Sequence, residues 1–171
     1  MFFSNQDLVY LLKDRNNLIG VEIGVERGNG AFHFLSNCNI DLLYLIDPYE
    51  SYIDSDTNHV CDEICQKQNK ETCLNLLKDF SNFKLIEKKS DDAVNEFDDN
   101  SLDFIFIDGL HSYEQCLKDI KNYYPKLKEG GLFSGHDFSY AIGCNKAVLE
   151  FSSIQNKSVS TCKNDVWYWF K

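Results

Sequence analysis

Few prolines, few basic residues and no long apolar run set the first limits on this chain. Two prolines among 171 residues, with no repeat or low-complexity stretch, give no sign of a linker, and this length suits one domain with a sizeable core. No run approaches the roughly 20 apolar residues that a membrane-spanning helix needs. Lys and Arg number 17 against 27 Asp and Glu, a net charge of −10, and no Lys/Arg cluster offsets it. Such a surface repels phosphate backbones, so neither nucleic acid nor an anionic membrane is an expected partner. The start, MFFSNQDLVYLLKD, lacks the basic region of a signal peptide and carries an acid within its apolar part. It reads as a short amphipathic helix with Ser4 and Asp7 at capping-box spacing. A cytoplasmic location is the expectation, and there the seven cysteines, an odd number, are expected as thiols.

What the chain does have is alternation. NLIGVEIG (17–24), DLLYLID (41–47), FKLIEK (83–88), LDFIFID (102–108) and GGLFSGHD (130–137) are short, nearly continuous apolar runs. Helical patterns separate them: GAFHFLSN, a segment near 60–80, DDAVNEF and SYEQCLKDIKNYY, with NKAVLEFSS after the fifth run. SVSTC and VWYWF close the chain on either side of a KND turn, which predicts a hairpin with one strand antiparallel. This pattern predicts an α/β fold, a doubly wound parallel sheet covered on both faces. Residues 1–16 form an N-terminal helix and 17–171 the core of a single domain. Ligands of such sheets sit beyond the carboxyl ends of the strands.

The first strand end, VEIGVERGNGA, closes on Glu22 and Gly24 and enters its helix through Gly28 and Gly30. Glycines allow close backbone approach and positive φ. The spacing G-x-x-x-G-x-G fits neither the dinucleotide fingerprint nor the P-loop. The acid and the glycine loop suit a ligand with amines and hydroxyls, or a bare tight turn. Asp47 ends the second run where an acid would meet ribose hydroxyls, or cap the segment after Pro48. After the third run Ser90 or Asp91 caps a helix, the favoured reading, with Asp91 also in reach of an adenine amino group. Ser112 and Gln115 have capping-box spacing, which starts a helix with Tyr113, Cys116, Leu117, Ile120 and Tyr124 as its buried stripe. Asp108 and His111 are left in the turn, and the fifth run adds His136 and Asp137 at the neighbouring tip. Carboxylates and imidazoles gathered at one sheet edge bind a divalent cation or do acid–base work.

EIGVERGNG, YLIDPYE, SLDFIFIDGLHSYEQCLKDIKNYYPKLKEGGLFSGHDF and the terminal VWYWFK together resemble a class I S-adenosylmethionine-dependent methyltransferase, from about residue 17 to 171. The IDG-x-H-x-Y … GG-x-x-x-GHD signature is similar to that of metal-dependent O-methyltransferases acting on sugar hydroxyls. The resemblance implies a Rossmann-like sheet of seven strands, order 3-2-1-4-5-7-6, the last strand antiparallel. It implies that Glu22, Gly24 and Gly28 line the methionine part of the cofactor, that Asp47 takes the ribose hydroxyls, and that Ser90 and Asp91 lie near the adenine, with Asp108 also beside the cofactor. It implies Asp108 as a metal ligand and His111 as general base, with His136 and Asp137 where relatives place further acidic ligands. Imidazole suits transition metals better than Mg²⁺, so His136 reads either as a ligand or as a catalytic contact to the substrate.

The implied reaction is O-methylation of a sugar, glycan or other small hydroxylated acceptor, assisted by Mg²⁺ or Mn²⁺. The chain lacks the N-terminal extension that often caps the substrate in relatives. Residues 50–62, or a second copy of the chain in a homo-oligomer, are the expected sources of a lid. Two rival readings are a partner-binding subunit that keeps the fold without chemistry, and a hydroxylase or hydrolase built on the Asp/His cluster. His59, Cys61, Cys65 and Cys73 match no standard zinc spacing. Their cysteines are read as small hydrophobes on a stripe with Ile64, Leu76, Leu77 and Phe80.

Overall fold

A computed structural model describes residues 5–54 and 56–171. In chain order the elements are α1 (Gln6–Leu12), β1 (Leu18–Ile23), α2 (Asn29–Asn37), β2 (Ile40–Ile46), β3 (Tyr52–Asp54), β4 (His59–Cys61), α3 (Glu63–Leu76), β5 (Phe83–Ile86), α4 (Ser90–Ala93), β6 (Leu102–Ile107), α5 (Tyr113–Tyr123), β7 (Leu127–Gly135), α6 (Ile142–Ile154), β8 (Ser160–Cys162) and β9 (Val166–Phe170). Seven strands form one sheet in the order β5-β2-β1-β6-β7-β9-β8. Pairing is parallel from β5 across to β7, while β9 runs antiparallel to both β7 and β8. Counted along the sheet's own strands this is 3-2-1-4-5-7-6, the expected Rossmann-like order.

Alternation along the strands explains why both faces are covered. Ile105 and Ile107 of β6 join Val21, Ile23 and Phe133 in one apolar layer under α5 and α6. Phe104 and Phe106 point the other way, onto Leu43, Leu45 and Phe34, the side that holds α1 and α2. Successive strand residues face opposite sides, so an uninterrupted apolar run is what a doubly covered strand requires. The closing strand packs as expected: Trp167 and Trp169 lie against Phe133, with ring centroids 5.7 and 5.1 Å away.

Three expectations need correction. The stretch 50–62, where no strand was expected, contains the antiparallel hairpin β3–β4, in which Ile53 pairs with Val60. The hairpin delivers Cys61 to the first turn of α3, where it forms a disulfide with Cys65, so thiols remain only at the other five cysteines. The buried side of α3 itself is Gln66, Asn69 and Cys73, and Ile64 is 70% exposed, so the apolar stripe forms only toward the end of the helix, where Cys73, Leu76, Leu77 and Phe80 join the core. That face binds loops through hydrogen bonds: Gln66 Nε2 donates to the Glu50 carbonyl and Arg27 Nε to Asn69 Oδ1, both at 2.9 Å. Ser4 lies outside the described residues. Asp7 accepts the Lys163 N–H at 2.9 Å, which ties α1 to the turn between β8 and β9.

Candidate active site

A cavity of about 500 Å³ opens at the carboxyl ends of β1, β2 and β6. Its walls are the loops after those strands, together with Tyr52, Asp54 and His59 of the β3–β4 hairpin. At the end of β1 the chain passes under the end of β6. Gly24 has φ +82°, and a Cβ there would fall 2.0 Å from the Asp108 carbonyl oxygen, so only glycine fits. Gly28, also left-handed, sits at the N-cap of α2 and lies outside the cavity wall, whereas Gly30 is part of it. A Cβ on Gly30 would stand 2.1 Å from Glu22 Oε1. Glu22 is buried beneath this loop, and its Oε2 has no hydrogen-bond partner among the described residues. Burial first, and then the charges of Asp108 and Asp47, hold its carboxyl well above the ordinary carboxylate range. A buried acid with an unused oxygen suits a ligand that brings a cationic N–H donor.

Asp47 stands at the tip of β2 and faces the same cavity. Its Oδ2 accepts the N–H groups of Val25 and Glu26 at 3.0 Å, and its Oδ1 that of Tyr49 at 2.8 Å. The carboxylate therefore fixes the glycine loop against β2 while it lines the pocket. At the next strand end neither Ser90 nor Asp91 is the N-cap, because Lys89 holds that position of α4. Ser90 Oγ donates instead to Asp119 Oδ1 at 2.6 Å, and Gln115 Nε2 donates to Ser90 Oγ at 3.2 Å and to Asp119 Oδ1 at 3.0 Å. Asp91 Oδ2 takes Lys118 at 2.6 Å, and its Oδ1 is buried without a partner among the described residues. Asp119 was missed in the sequence because it lies on the face of α5 where only apolar residues were expected; with Cys116, Ile120 and Tyr123 it is buried.

The reacting edge is built by the sheet ladder continuing past the strand ends. Asp108 N–H donates to Ile23 O at 2.7 Å and His136 N–H to Ile107 O at 3.0 Å, which brings the two tips side by side. The thiols of Cys116 and Cys144 brace them from below, donating at 3.3 Å to the carbonyls of Leu110 and His136. Ser112 caps α5 by accepting Gln115 N–H at 3.3 Å, which leaves His111 in the turn as expected. His136 Nδ1 lies 3.4 Å from Asp108 Oδ1 and 3.1 Å from Asp137 Oδ2. His111 Nε2 lies 2.5 Å from Asp137 Oδ2 without hydrogen-bond alignment. Asp137 has φ +57°, a left-handed conformation that costs a non-glycine residue about 1 kcal/mol. One ligand atom from each of Asp108, His111 and Asp137 lies within 4.8 Å of the others, and this is the one such metal-competent group among the described residues.

The hairpin adds a residue that the sequence reading missed. Asp54 Oδ2 meets His111 Nδ1 and also accepts the His111 N–H at 3.2 Å. Its Oδ1 accepts Asp56 N–H at 3.0 Å, and Asp56 Oδ2 accepts Gly143 N–H at 2.9 Å, which fastens the hairpin to α6. His111 thus stands between two carboxylates. Burial lowers its pKa, but the adjacent carboxylates of Asp137 and Asp54 outweigh burial and raise it to about 9. At His136 burial is likewise outweighed, by Asp108 and Asp137, and the pKa rises to about 11. Burial opposes ionisation of Asp137, yet the two imidazoles hold its carboxyl far below the ordinary range.

Of the residues singled out in the sequence, Glu22, Gly24, Asp47, Ser90, Asp91, Asp108 and His111 line one cavity. His136 and Asp137 stand against Asp108 and His111. The sequence pattern of a methyltransferase domain family matches residues 21–138, more than half of the chain, and the chain belongs to that family. The fold is shared with solved structures of low identity. The O-methyltransferase NovP aligns over 98% of this chain and 79% of its own, with a TM-score of 0.72 and 16% identity. An rRNA methylase from Streptococcus thermophilus aligns over 96% and 90%, with a TM-score of 0.63 and 14% identity. Spermidine synthase from Thermotoga maritima aligns over 94% of this chain and 55% of its own, with a TM-score of 0.60 and 17% identity. No curated protein sequence matches the chain. Family membership supports S-adenosylmethionine as the cofactor. The residues fit it: the partnerless Glu22 Oε2 suits the methionine ammonium, and the glycine loop admits a ligand close to the backbone.

Proposed function

We propose that this methyltransferase transfers the methyl group to a hydroxyl of a small acceptor, a sugar or glycan, with help from a divalent cation. The observation that carries the reading is the position of Asp108 and His111 in the wall of the same cavity as Glu22. Acceptor activation and cofactor binding would then share one chamber. S-adenosylmethionine supplies an electrophilic methyl on a sulfonium centre. A sugar hydroxyl is a weak nucleophile at neutral pH, so the protein must both position it and take its proton. His111 is the proposed base. Asp54 holds the proton on Nδ1, which directs Nε2 toward the reacting edge. A cation held by Asp137 would remove the charge that keeps His111 protonated, and Nε2 would then be free to accept the hydroxyl proton.

Asp108 and Asp137 are the proposed ligands of Mg²⁺ or Mn²⁺, which would lower the pKa of a hydroxyl oxygen held beside it. His136 contacts both carboxylates and orients them. Acceptor contacts are assigned to Tyr52 and His59, whose side chains meet at 3.0 Å across the hairpin at the cavity mouth. The net charge of −10 supports a small neutral or cationic acceptor over nucleic acid or a membrane surface, with the cytoplasm as the expected location. Methyl transfer from labelled S-adenosylmethionine to a panel of glycosides, with and without EDTA, tests the proposal. Transfer that stops with EDTA and returns with Mg²⁺ or Mn²⁺ is expected. Full transfer after exhaustive chelation removes the cation from the account.

A further inference from the structure

The β3–β4 hairpin depends on its anchors. Its strands have three residues each, and Ile53 and Val60 on its outer face are exposed, so it buries little apolar surface of its own. A two-stranded hairpin of this size is not stable alone. Toward its turn, Asp54 Oδ2 accepts the His111 N–H at 3.2 Å, and Asp56 Oδ2 accepts the Gly143 N–H at 2.9 Å. At the other end Cys61, the last residue of β4, is joined by its disulfide to Cys65 in the first turn of α3. Cys61 pairs with Tyr52, so this link fixes the base of the strand that carries Asp54. The two sulfurs differ in access, since Cys61 is 1% exposed and Cys65 is half-buried. Asn69, itself 1% exposed, directs its amide at both, with Nδ2 3.5 Å from Cys61 Sγ and 3.7 Å from Cys65 Sγ. Arg27 Nε, held on Asn69 Oδ1 at 2.9 Å, fixes that orientation. A disulfide sulfur is a weak acceptor and a thiolate a stronger one, so a buried donor spent on these two sulfurs favours the species that reduction releases.

We propose that Cys61 and Cys65 are a redox-active pair, a site of thiol–disulfide exchange with a dithiol reductant, whose closure holds the hairpin in the position that sets Asp54 on His111. A thiolate of the reductant attacks the accessible Cys65 Sγ and forms a mixed disulfide. The bond between the two protein sulfurs breaks, and its electron pair leaves on Cys61 Sγ, where Asn69 Nδ2 donates. The second thiol of the reductant then displaces Cys65 and closes the reductant as its own disulfide. Two electrons and two protons pass from the dithiol to the pair. Oxidation by a disulfide of the same class runs the sequence backwards. Opening removes the anchor at the base of the hairpin and leaves those at its turn. The consequence for turnover rests on the reading of His111 as the base; the exchange and the loosening of the hairpin do not.

The test is backbone hydrogen exchange of the wild-type protein and of Cys65→Ser, each treated with excess dithiothreitol and then with oxidised glutathione, with alkylation and mass spectrometry to locate the thiols. In the native wild type, dithiothreitol is expected to expose two new thiols, at Cys61 and Cys65. Amides of residues 52–61 then exchange about tenfold or more faster, while β1 and β6 keep their protection. Oxidised glutathione recloses the pair and restores slow exchange. Cys65→Ser exchanges fast over 52–61 under both conditions. A pair that stays closed in the native protein under dithiothreitol, or that does not reclose, overturns the proposal. So does opening that leaves exchange over 52–61 unaltered, or that speeds exchange equally throughout the sheet, which would make the disulfide a general structural link. If Cys65→Ser does not fold, the reduction and reoxidation of the wild type decide alone. Neither readout uses an acceptor or a cofactor, so failure here leaves the O-methylation reading standing, and failure of that reading leaves the pair to be judged on its own.

Discussion

At the scale of single residues, the site is a set of charges that burial makes expensive and ligands make useful. Glu22 shows this directly. An acid whose pKa is raised in the folded state contributes stability below its unfolded pKa, and that contribution is lost as the pH rises. Glu22→Gln is therefore expected to raise the melting temperature of the ligand-free protein at pH 8 while weakening S-adenosylhomocysteine binding about tenfold or more. A variant that binds as tightly as the wild type would separate Glu22 from the methionine ammonium. Asp119 follows the same sign. Its pKa rises from 3.8 to about 6, so its effect is absent below pH 4 and complete above pH 6. Asp119→Asn should gain stability relative to the wild type across that window, up to about 3 kcal/mol, as read from urea unfolding at pH 4 and pH 7. A gain that does not depend on pH would show that the carboxyl is not the cause. For His111→Ala we expect turnover to fall about 100-fold or more, with S-adenosylhomocysteine affinity unchanged. Turnover equal to the wild type excludes His111 as the base.

At the scale of elements, each of the five parallel strands places a functional group at or just beyond its carboxyl end, and the β3–β4 hairpin orients one of them. Asp54 reaches His111 across 57 residues of sequence. Asp54→Asn keeps an acceptor for the turn but removes the charge facing His111. Turnover is expected to fall about 10- to 100-fold with little change in cofactor-product affinity. Equal losses in both would make the hairpin a cofactor lid and nothing more. The strand tips were legible in the sequence, because a doubly covered strand is an apolar run with a sharp polar end, and Asp47, Asp108 and Asp137 sit one or two residues past such ends. The hairpin was not legible. Its strands have three residues each, too short for alternation to register, and Ile53 and Val60 point outward, which makes their pattern read as a loop. Asp119 was illegible for the opposite reason: a helical period assigns a face, and an acid on the buried face is invisible unless its partners are known, Gln115 one turn earlier on α5 and Ser90 from a distant part of the chain.

At the scale of the whole molecule, the fold is common to proteins whose chemistry differs, so charge and the site must separate them. The acidic surface distinguishes this chain from what the fold alone would permit. Gel-shift titration with ribosomal RNA fragments at about 150 mM salt is expected to show no complex, since few Lys or Arg are available to neutralise phosphates. A micromolar complex would point to a nucleic-acid acceptor in place of a small one. The central claim is that the cavity between Glu22 and Asp108 binds S-adenosylmethionine with its methyl group directed at the Asp–His edge. A crystal structure of the protein with S-adenosylhomocysteine tests it most directly. The account predicts density filling the cavity, with the amine on Glu22 Oε2 and the sulfur toward Asp108 and His111. Ligand density outside this cavity, or with the amine away from Glu22, would contradict it.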